Sequence, residues 1–261
     1  MLDCLQGEWV AYRGNLSDSR GFLTPKWVIS HLVVLLVVVI FVRLGFWQLD
    51  RFEERRLENA VGQARFAEDP VDIAVLLDSV GTDVESLEYR RAVATGVFYP
   101  EDELLVRSQV YRSTAGFHVI TPLVGESGAA ILVNRGWVSL GLDQVPVTDA
   151  PPPPGRVTVQ GWVHLSQERP PLGPVDPEEG RLTTTSRVDI SRIQQQMEMP
   201  LAPVYLVLIG EGSGDLPIPA PPPFFDDDGP HLAYAIQWFG FALIGLVGYL
   251  FLVRKELGRS T

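Results

Sequence analysis

A run of 22 residues without a single charge, 232–253 (LAYAIQWFGFALIGLVGYLFLV), constrains this chain more than any other feature. As a helix rising 1.5 Å per residue it is about 33 Å long, enough to cross the hydrocarbon core of a bilayer. It is entered through Asp226-Asp227-Asp228-Gly229-Pro230-His231 and left through Arg254-Lys255. The sequence therefore predicts a transmembrane helix over 231–253, with a histidine at its mouth behind an acidic, proline-rich approach.

A second apolar stretch lies near the other end, over 27–49, interrupted by Arg43 and framed by Trp27 and Trp47 as interfacial aromatics. A cleaved signal peptide is the rival reading. The residues that follow, FVRLGFWQLDRFEERR, offer no small-residue cleavage site, so an uncleaved anchor is expected.

The charges flanking the first helix leave its orientation ambiguous, since Arg13, Arg20 and Lys26 precede it and Arg43, Arg51, Arg55 and Arg56 follow it. Those flanking the second do not: three aspartates stand before it, and Arg254, Lys255 and Arg259 after it. Cytoplasmic flanks carry the excess of Lys and Arg, which puts the C-terminus inside and, with two spans, the N-terminus too. The expected organisation is a cytoplasmic tail 1–26, a span 27–49, an exported domain 50–230, a span 231–253 and a cytoplasmic tail 254–261. Residues 50–230 hold 28 acidic and 14 basic residues. So acidic a domain has no patch with which to displace counterions from nucleic acid. Its only neighbouring thiol, Cys4, lies in the N-terminal tail, so the domain must fold without disulfides or a cysteine metal site.

Within 50–230, the segment 50–67 is charged and helical in pattern and should continue the first helix. Residues 72–77 read as a short helix after Pro70. Strand patterns follow at 89–99, 103–110, 116–124, 129–140, 156–166 and 201–209. Asp189 is a plausible N-cap for a short helix over 189–197. The expected fold is an antiparallel β barrel or sandwich with short helices. Pro151–Pro154 should be a stiff turn, and 216–223 (LPIPAPPP) an extended polyproline strut. The repeated pairs Gly136-Trp137 and Gly161-Trp162 suggest aromatics beside close backbone approaches.

Chemistry-bearing residues are few. His231 would stand at the outer end of the second helix, with Tyr234 and Ala235 one turn on and Trp238 at i+7. A flat ring along that helix could meet imidazole at one end and indole farther in, and neutral imidazole is a standard axial ligand for haem iron. The alternative is an interfacial histidine with Trp238 packed on lipid or on the first helix. His31 reads as a helix-packing residue, and His118 and His164 as half-exposed strand residues with no partner at metal spacing. Four histidines in all make a multi-histidine copper or zinc site a poor reading. Arg43 should snorkel to the surface, or else pair with an acidic ligand group such as a propionate. Gly240, Gly245 and Gly248 would suit packing against another helix, the first one or a partner's. No G-x-S-x-G, P-loop or H-E-x-x-H is present.

Four blocks together are familiar: Leu44-Gly45-Phe46-Trp47-Gln48-Leu49-Asp50-Arg51; Tyr89-Arg90-Arg91-Ala92-Val93-Ala94-Thr95-Gly96 with Phe98-Tyr99; Leu132-Val133-Asn134-Arg135-Gly136-Trp137-Val138; and His231-Leu232-Ala233-Tyr234-Ala235 with Gln237-Trp238. In this order, between two terminal apolar helices, they resemble the Surfeit-locus (Shy-type) family of cytochrome c oxidase assembly proteins. The resemblance implies a non-enzymatic factor for haem-copper (aa3-type) oxidase that assists insertion of haem a into the largest subunit. It implies His231 and Trp238 as haem contacts, with His231 on the iron, and Tyr234, one turn on from His231, is the third expected contact. It makes the largest oxidase subunit, haem A synthase and a respiratory supercomplex the candidate partners, besides membrane lipid. The chain departs from the family in its acidic, proline-rich entry 217–230 and its N-terminal tail. Two other readings stand beside it: a permanent accessory subunit of a respiratory oxidase, and, outside the family, a membrane-anchored β-domain enzyme or sensor. The last expects a buried polar cluster in the β domain.

Overall fold

A computed structural model describes residues 24–210 and 215–258 of the chain. The expected tail 1–26 lies outside these as far as residue 23, with Cys4, and so do the last three residues of the expected tail 254–261. The chain divides into two compact units: Leu57–Asp227 forms one, and the segments on either side of it form the other.

Helix α1 (Pro25–Ala67) runs without a break from the apolar segment into the charged one, as the pattern of 50–67 suggested. Helix α4 (His231–Leu257) begins at the histidine. At 43 and 27 residues both are long and apolar enough to cross a membrane. The faces they turn toward each other repeat every three or four residues. On α1, residues His31, Val34, Val38, Phe41, Gly45 and Gln48 are withdrawn from solvent, and on α4 His231, Ala235, Trp238, Ala242 and Tyr249 are. That is the spacing of a heptad seam. Gly45 is needed there, because a Cβ would come within 2.7 Å of the Phe239 ring. The expected glycine face of α4 has no such role: a Cβ on Gly240, Gly245 or Gly248 meets nothing within 4 Å. Arg43 is exposed, with no partner among the described residues.

The other unit is a β barrel. In chain order its elements are β1 (Val71–Asp72), α2 (Ile73–Val80), β2 (Arg91–Phe98), β3 (Leu104–Tyr111), β4 (Thr114–Val124), β5 (Ala130–Ser139), β6 (Arg156–Leu165), β7 (Thr184–Thr185), α3 (Ile190–Gln194) and β8 (Leu201–Leu208). The strand order is β1-β2-β6-β8-β5-β4-β3-β7, and an additional β2–β4 pairing closes the ring. The six long strands fall where the sequence patterns predicted them. On β2 the inward face is Ala92, Ala94, Gly96 and Phe98, leaving Val93, Thr95, Val97 and Tyr99 outside. Asp72 and Asp189 cap their helices, accepting from Ala74 N (2.9 Å) and Arg192 N (3.0 Å).

The expectation of a purely antiparallel sheet fails at three pairings. β8 lies between β6 and β5 and runs parallel to β5, while β1–β2 and β3–β7 are also parallel. A strand that returns through α3 can enter the gap in either direction, and hydrophobic alternation carries no sign of which. Pro203, which has no N–H to donate, sits where the β5–β8 register jumps from Leu201 to Tyr205.

Both proline segments adjoin packed parts of the barrel. Residues 140–155 are a packed flap, with Val147 and Ala150 buried against Leu105, Val119 and Val138. The strut 216–223 is docked: Trp137 N donates to Ile218 O (2.6 Å) and Ile218 N to Trp137 O (2.8 Å). Gly136 permits this contact. Its φ of +129° suits glycine alone, and any Cβ would collide with the Ile218 carbonyl. Gly161 is likewise a close approach, since a Cβ there would stand 2.5 Å from Val207 O. Trp137 itself is 8% exposed and packs on Tyr111 with ring centroids 5.5 Å apart. Replacing Trp137 with Ala should destabilise the domain by about 3–5 kcal/mol, the usual cost of deleting a buried large aromatic. Urea denaturation of the purified protein would show it as a lower midpoint, and an unchanged midpoint would mean that Trp137 carries no packing.

Candidate functional site

The α1–α4 seam is antiparallel, and among its polar and aromatic contacts three rungs involve a histidine or Trp238. Tyr249 Oη lies 2.7 Å from His31 Nδ1 and donates to Ser30 or His31. Trp238 packs on Phe41, centroids 5.5 Å apart. At the third rung His231 Nδ1 is 2.9 Å from Gln48 Oε1. An amide oxygen only accepts, so His231 donates from Nδ1 and keeps a lone pair on Nε2. That nitrogen has no partner among the described residues. The adjoining Gly229, at φ +72°, leaves its edge clear, since a Cβ would stand 3.3 Å from His231 Cδ2 and 3.5 Å from Nε2.

His231 and Trp238 share a face, as their spacing predicts, but that face is the one covered by α1. Ala235 between them is 1% exposed. Trp238 therefore sets the helix pair, and a flat ring cannot lie along the face from imidazole to indole. Tyr234 points elsewhere, on the exposed side of the first turn. His31 is a packing residue, as its position suggested. These residues fit haem to this extent: one imidazole, held at Nδ1 by Gln48, beside an exposed aromatic.

The β barrel holds a second constellation. A cavity of about 300 Å³ is lined by residues of β3, β4, β5, β6 and β8, with Ala220 and Pro223 of the docked proline segment on its wall. His118 and His164 both reach it. Asn134 Oδ1 accepts from Gly136 N (3.0 Å), which turns the amide nitrogen toward His118 Nδ1 at 3.1 Å. His118 thus accepts at Nδ1 and carries its proton on Nε2. Burial holds its pKa down at about 4, so the ring is neutral at physiological pH. His164 is arranged the other way. Its Nδ1 donates to Glu88 Oε1 (2.8 Å), while the Leu165 N–H goes to Glu88 Oε2 (2.8 Å). The ring stacks on Tyr205, centroids 5.1 Å apart and 18° from parallel. Burial, with Glu88 and Tyr89 nearby, pushes the Tyr205 phenol well above its ordinary value, and its oxygen accepts from Gln167 Nε2 (3.2 Å).

Spacing alone could not bring these two histidines together, because they lie on strands that never pair. The usable signal was the Gly-Trp repeat, for Trp162 lies on this wall and Gly136 orients Asn134. The buried polar cluster expected of a β-domain enzyme is thus present. No group of three or more metal-ligating side chains occurs among the described residues.

Two long apolar helices bracketing in sequence a barrel of this kind define a class, and comparison places the chain within it. The chain belongs to the SURF1 family, whose profile matches residues 35–243. An uncharacterized SURF1-like protein of Mycobacterium tuberculosis is 29% identical over 240 residues, covering 90% of this chain and 86% of its own. A SURF1-like protein of Rickettsia felis is 28% identical over 239 residues, covering 87% and 98%. One from Rickettsia bellii is 32% identical over 112 residues, covering 42% and 44%. The resemblance noted in the sequence is therefore a family relationship, and a reading outside the family falls.

The tautomer and burial of His118 have a consequence for stability. Unfolded, the imidazole titrates at its ordinary 6.5; folded, at about 4. Between these values the unfolded chain binds more protons, so stability is full above pH 6.5 and falls as pH drops toward 4. Thermal melts of the parent should show this loss, and His118→Gln should flatten it. Equal slopes for the two proteins would mean that His118 is already charged in the folded state.

Proposed function

We propose that this chain is a membrane-anchored, non-enzymatic assembly factor for a haem-copper cytochrome c oxidase of the aa3 type. It receives haem a and passes it to the largest oxidase subunit, with haem A synthase as the source and a respiratory supercomplex as the setting. Family membership supports the assembly role. The observation that carries the haem reading is the Gln48–His231 hydrogen bond, which frees His231 Nε2 as a lone pair.

Haem would supply an iron that takes imidazole as a ligand, and His231 would hold it. The chain then supplies orientation. Gln48 fixes the ring of His231 and its tautomer, as partners behind a metal-ligating histidine do. Gly229 keeps the Nε2 edge accessible, Tyr234 offers an exposed aromatic surface, and the Phe41–Trp238 rung holds α4 against α1 so that Gln48 stays in reach. A single ligand suits a cargo that must leave. Both helices then span the plasma membrane of a bacterium with the β barrel on its outer side, a topology supported by the charges around α4.

Two experiments test this. A reporter active only outside should work when fused near Ser166 and fail beyond residue 258; the reverse pattern defeats the topology. In cells that make haem A, His231→Ala should lose or shift the haem spectrum while the protein remains inserted. Gln48→Leu should weaken retention and Trp238→Ala should do so less directly. Full haem occupancy and normal oxidase maturation in His231→Ala, with the protein equimolar in mature oxidase, would make it an accessory subunit instead.

A further inference from the structure

The cavity on the outer face of the barrel wall is unused by the haem reading, and its walls have a definite chemistry. None of its lining residues is Lys, Arg, Asp or Glu. Its hydrogen-bonding groups are oriented by partners behind them. Asn134 leaves His118 with a donor at Nε2. Gln167 Oε1 accepts from Val188 N (3.0 Å), which directs its amide nitrogen at Tyr205 and leaves the phenol proton free to donate. Glu88 leaves His164 with an acceptor at Nε2, and Gln109, whose amide nitrogen donates to Arg107 O (3.1 Å), keeps its oxygen. Two donors and two acceptors therefore bear on one space. The His118 and His164 Nε2 atoms and the Gln109 amide oxygen have no partner among the described residues, although His164 Nδ1 also lies 3.1 Å from Leu165 N.

The rest of the wall is flat and apolar. Trp162 is 5% exposed, Tyr205 and His164 are stacked, and Tyr89 stands beside His164 at 6.3 Å. Tyr89 adopts φ +68°, a costly conformation for a bulky residue, while its N–H is held by Val163 O (2.9 Å). The volume selects the guest. Apolar cavities of about 150 Å³ hold benzene, so 300 Å³ admits a substituted single or fused ring, and not a porphyrin. The absence of charge disfavours carboxylates and amines, which would be desolvated without a counter-ion.

We propose that this cavity binds an uncharged flat ring bearing carbonyl or hydroxyl oxygens, of the quinone or quinol class. His118 Nε2–H and the Tyr205 hydroxyl donate to the carbonyl oxygens. In the quinol form, His164 Nε2 and Gln109 Oε1 accept from the hydroxyls, and the ring lies against Trp162 and Tyr205. This is a binding site only, with no electron transfer, and it is independent of the haem reading at His231.

The test uses the full chain in detergent, titrated calorimetrically with duroquinone and corrected with empty micelles. One saturable site is expected. Tyr205→Phe keeps the stacked ring and removes only the donor, so binding should weaken roughly five- to tenfold, the loss of about one hydrogen bond. His118→Leu should weaken it comparably, benzoate should not bind, and His231→Ala should leave duroquinone affinity unchanged. The proposal is overturned by the lack of a saturable component above the micelle blank. It is equally overturned if benzoate binds as well as duroquinone, or if folded Tyr205→Phe and His118→Leu proteins both bind like the parent.

Discussion

Inside the β barrel an arginine and a glutamate face each other with almost no water, and much of the domain's closure is organised around them. Arg135 is 5% exposed and Glu103 2%. Their nearest charged atoms are 3.9 Å apart, a separation that gives attraction without a hydrogen bond. Glu103 instead accepts from the Thr121 hydroxyl (2.7 Å) and from Val147 N (2.8 Å), while Arg135 donates to Ala150 O and lies over the Phe98 ring at 5.9 Å. Burial lowers the pKa of Arg135, and the charge of Glu103 offsets only part of that. One pair thus gathers β2, β4, β5, the entry to β3 and the 140–155 flap. Such a pair adds little net stability over apolar side chains of the same shape, but removing one partner strands the other as a buried charge. Its contribution is to specify where the flap must lie.

The same strand supplies the neighbouring devices. Within Asn134-Arg135-Gly136-Trp137-Val138, the first residue sets the His118 tautomer, the second anchors the flap, the third admits the Ile218 carbonyl and the fourth pairs with it. What reads in the sequence as a family signature is, in the fold, a set of attachments for segments remote in the chain. The block touches the cavity through Asn134 alone, and it shapes the site by holding what surrounds it.

Local rules found what local physics determines. Alternation located six strands, Asp72 and Asp189 declared their helix starts, and the two apolar runs announced α1 and α4. The pieces that escaped depend on chain crossings. β1 and β7 are two residues long and exist only because a neighbour offers an edge. The parallel placement of β8 follows from the return through α3, and the docking of 216–223 from a glycine eighty residues earlier. The helix-mouth residues were legible because a helix converts spacing into direction. Which side of it α1 would cover was not, and this separates Tyr234 from Trp238. In the barrel, His164 stands directly across from Tyr205 on the β6–β8 ladder and His118 across from Trp137 on β4–β5. Registers of that kind have no trace in single-strand patterns.

Histidine appears at three sites in this protein with its chemistry decided by the group behind it. At His231 a glutamine oxygen accepts from Nδ1–H, and at His164 a glutamate does so, which turns the Nε2 lone pair of each ring outward. At His118 an asparagine nitrogen donates to Nδ1 and leaves an N–H at Nε2. The orientation of that asparagine is in turn fixed by the Gly136 N–H, a contact two residues away in sequence. A lone-pair nitrogen can approach a metal and an N–H cannot, so His118 is excluded from ligation by a backbone amide that never touches it. With His118 a donor beside the acceptor His164, two imidazoles on the outer face of the barrel wall present opposite hydrogen-bonding roles to one cavity.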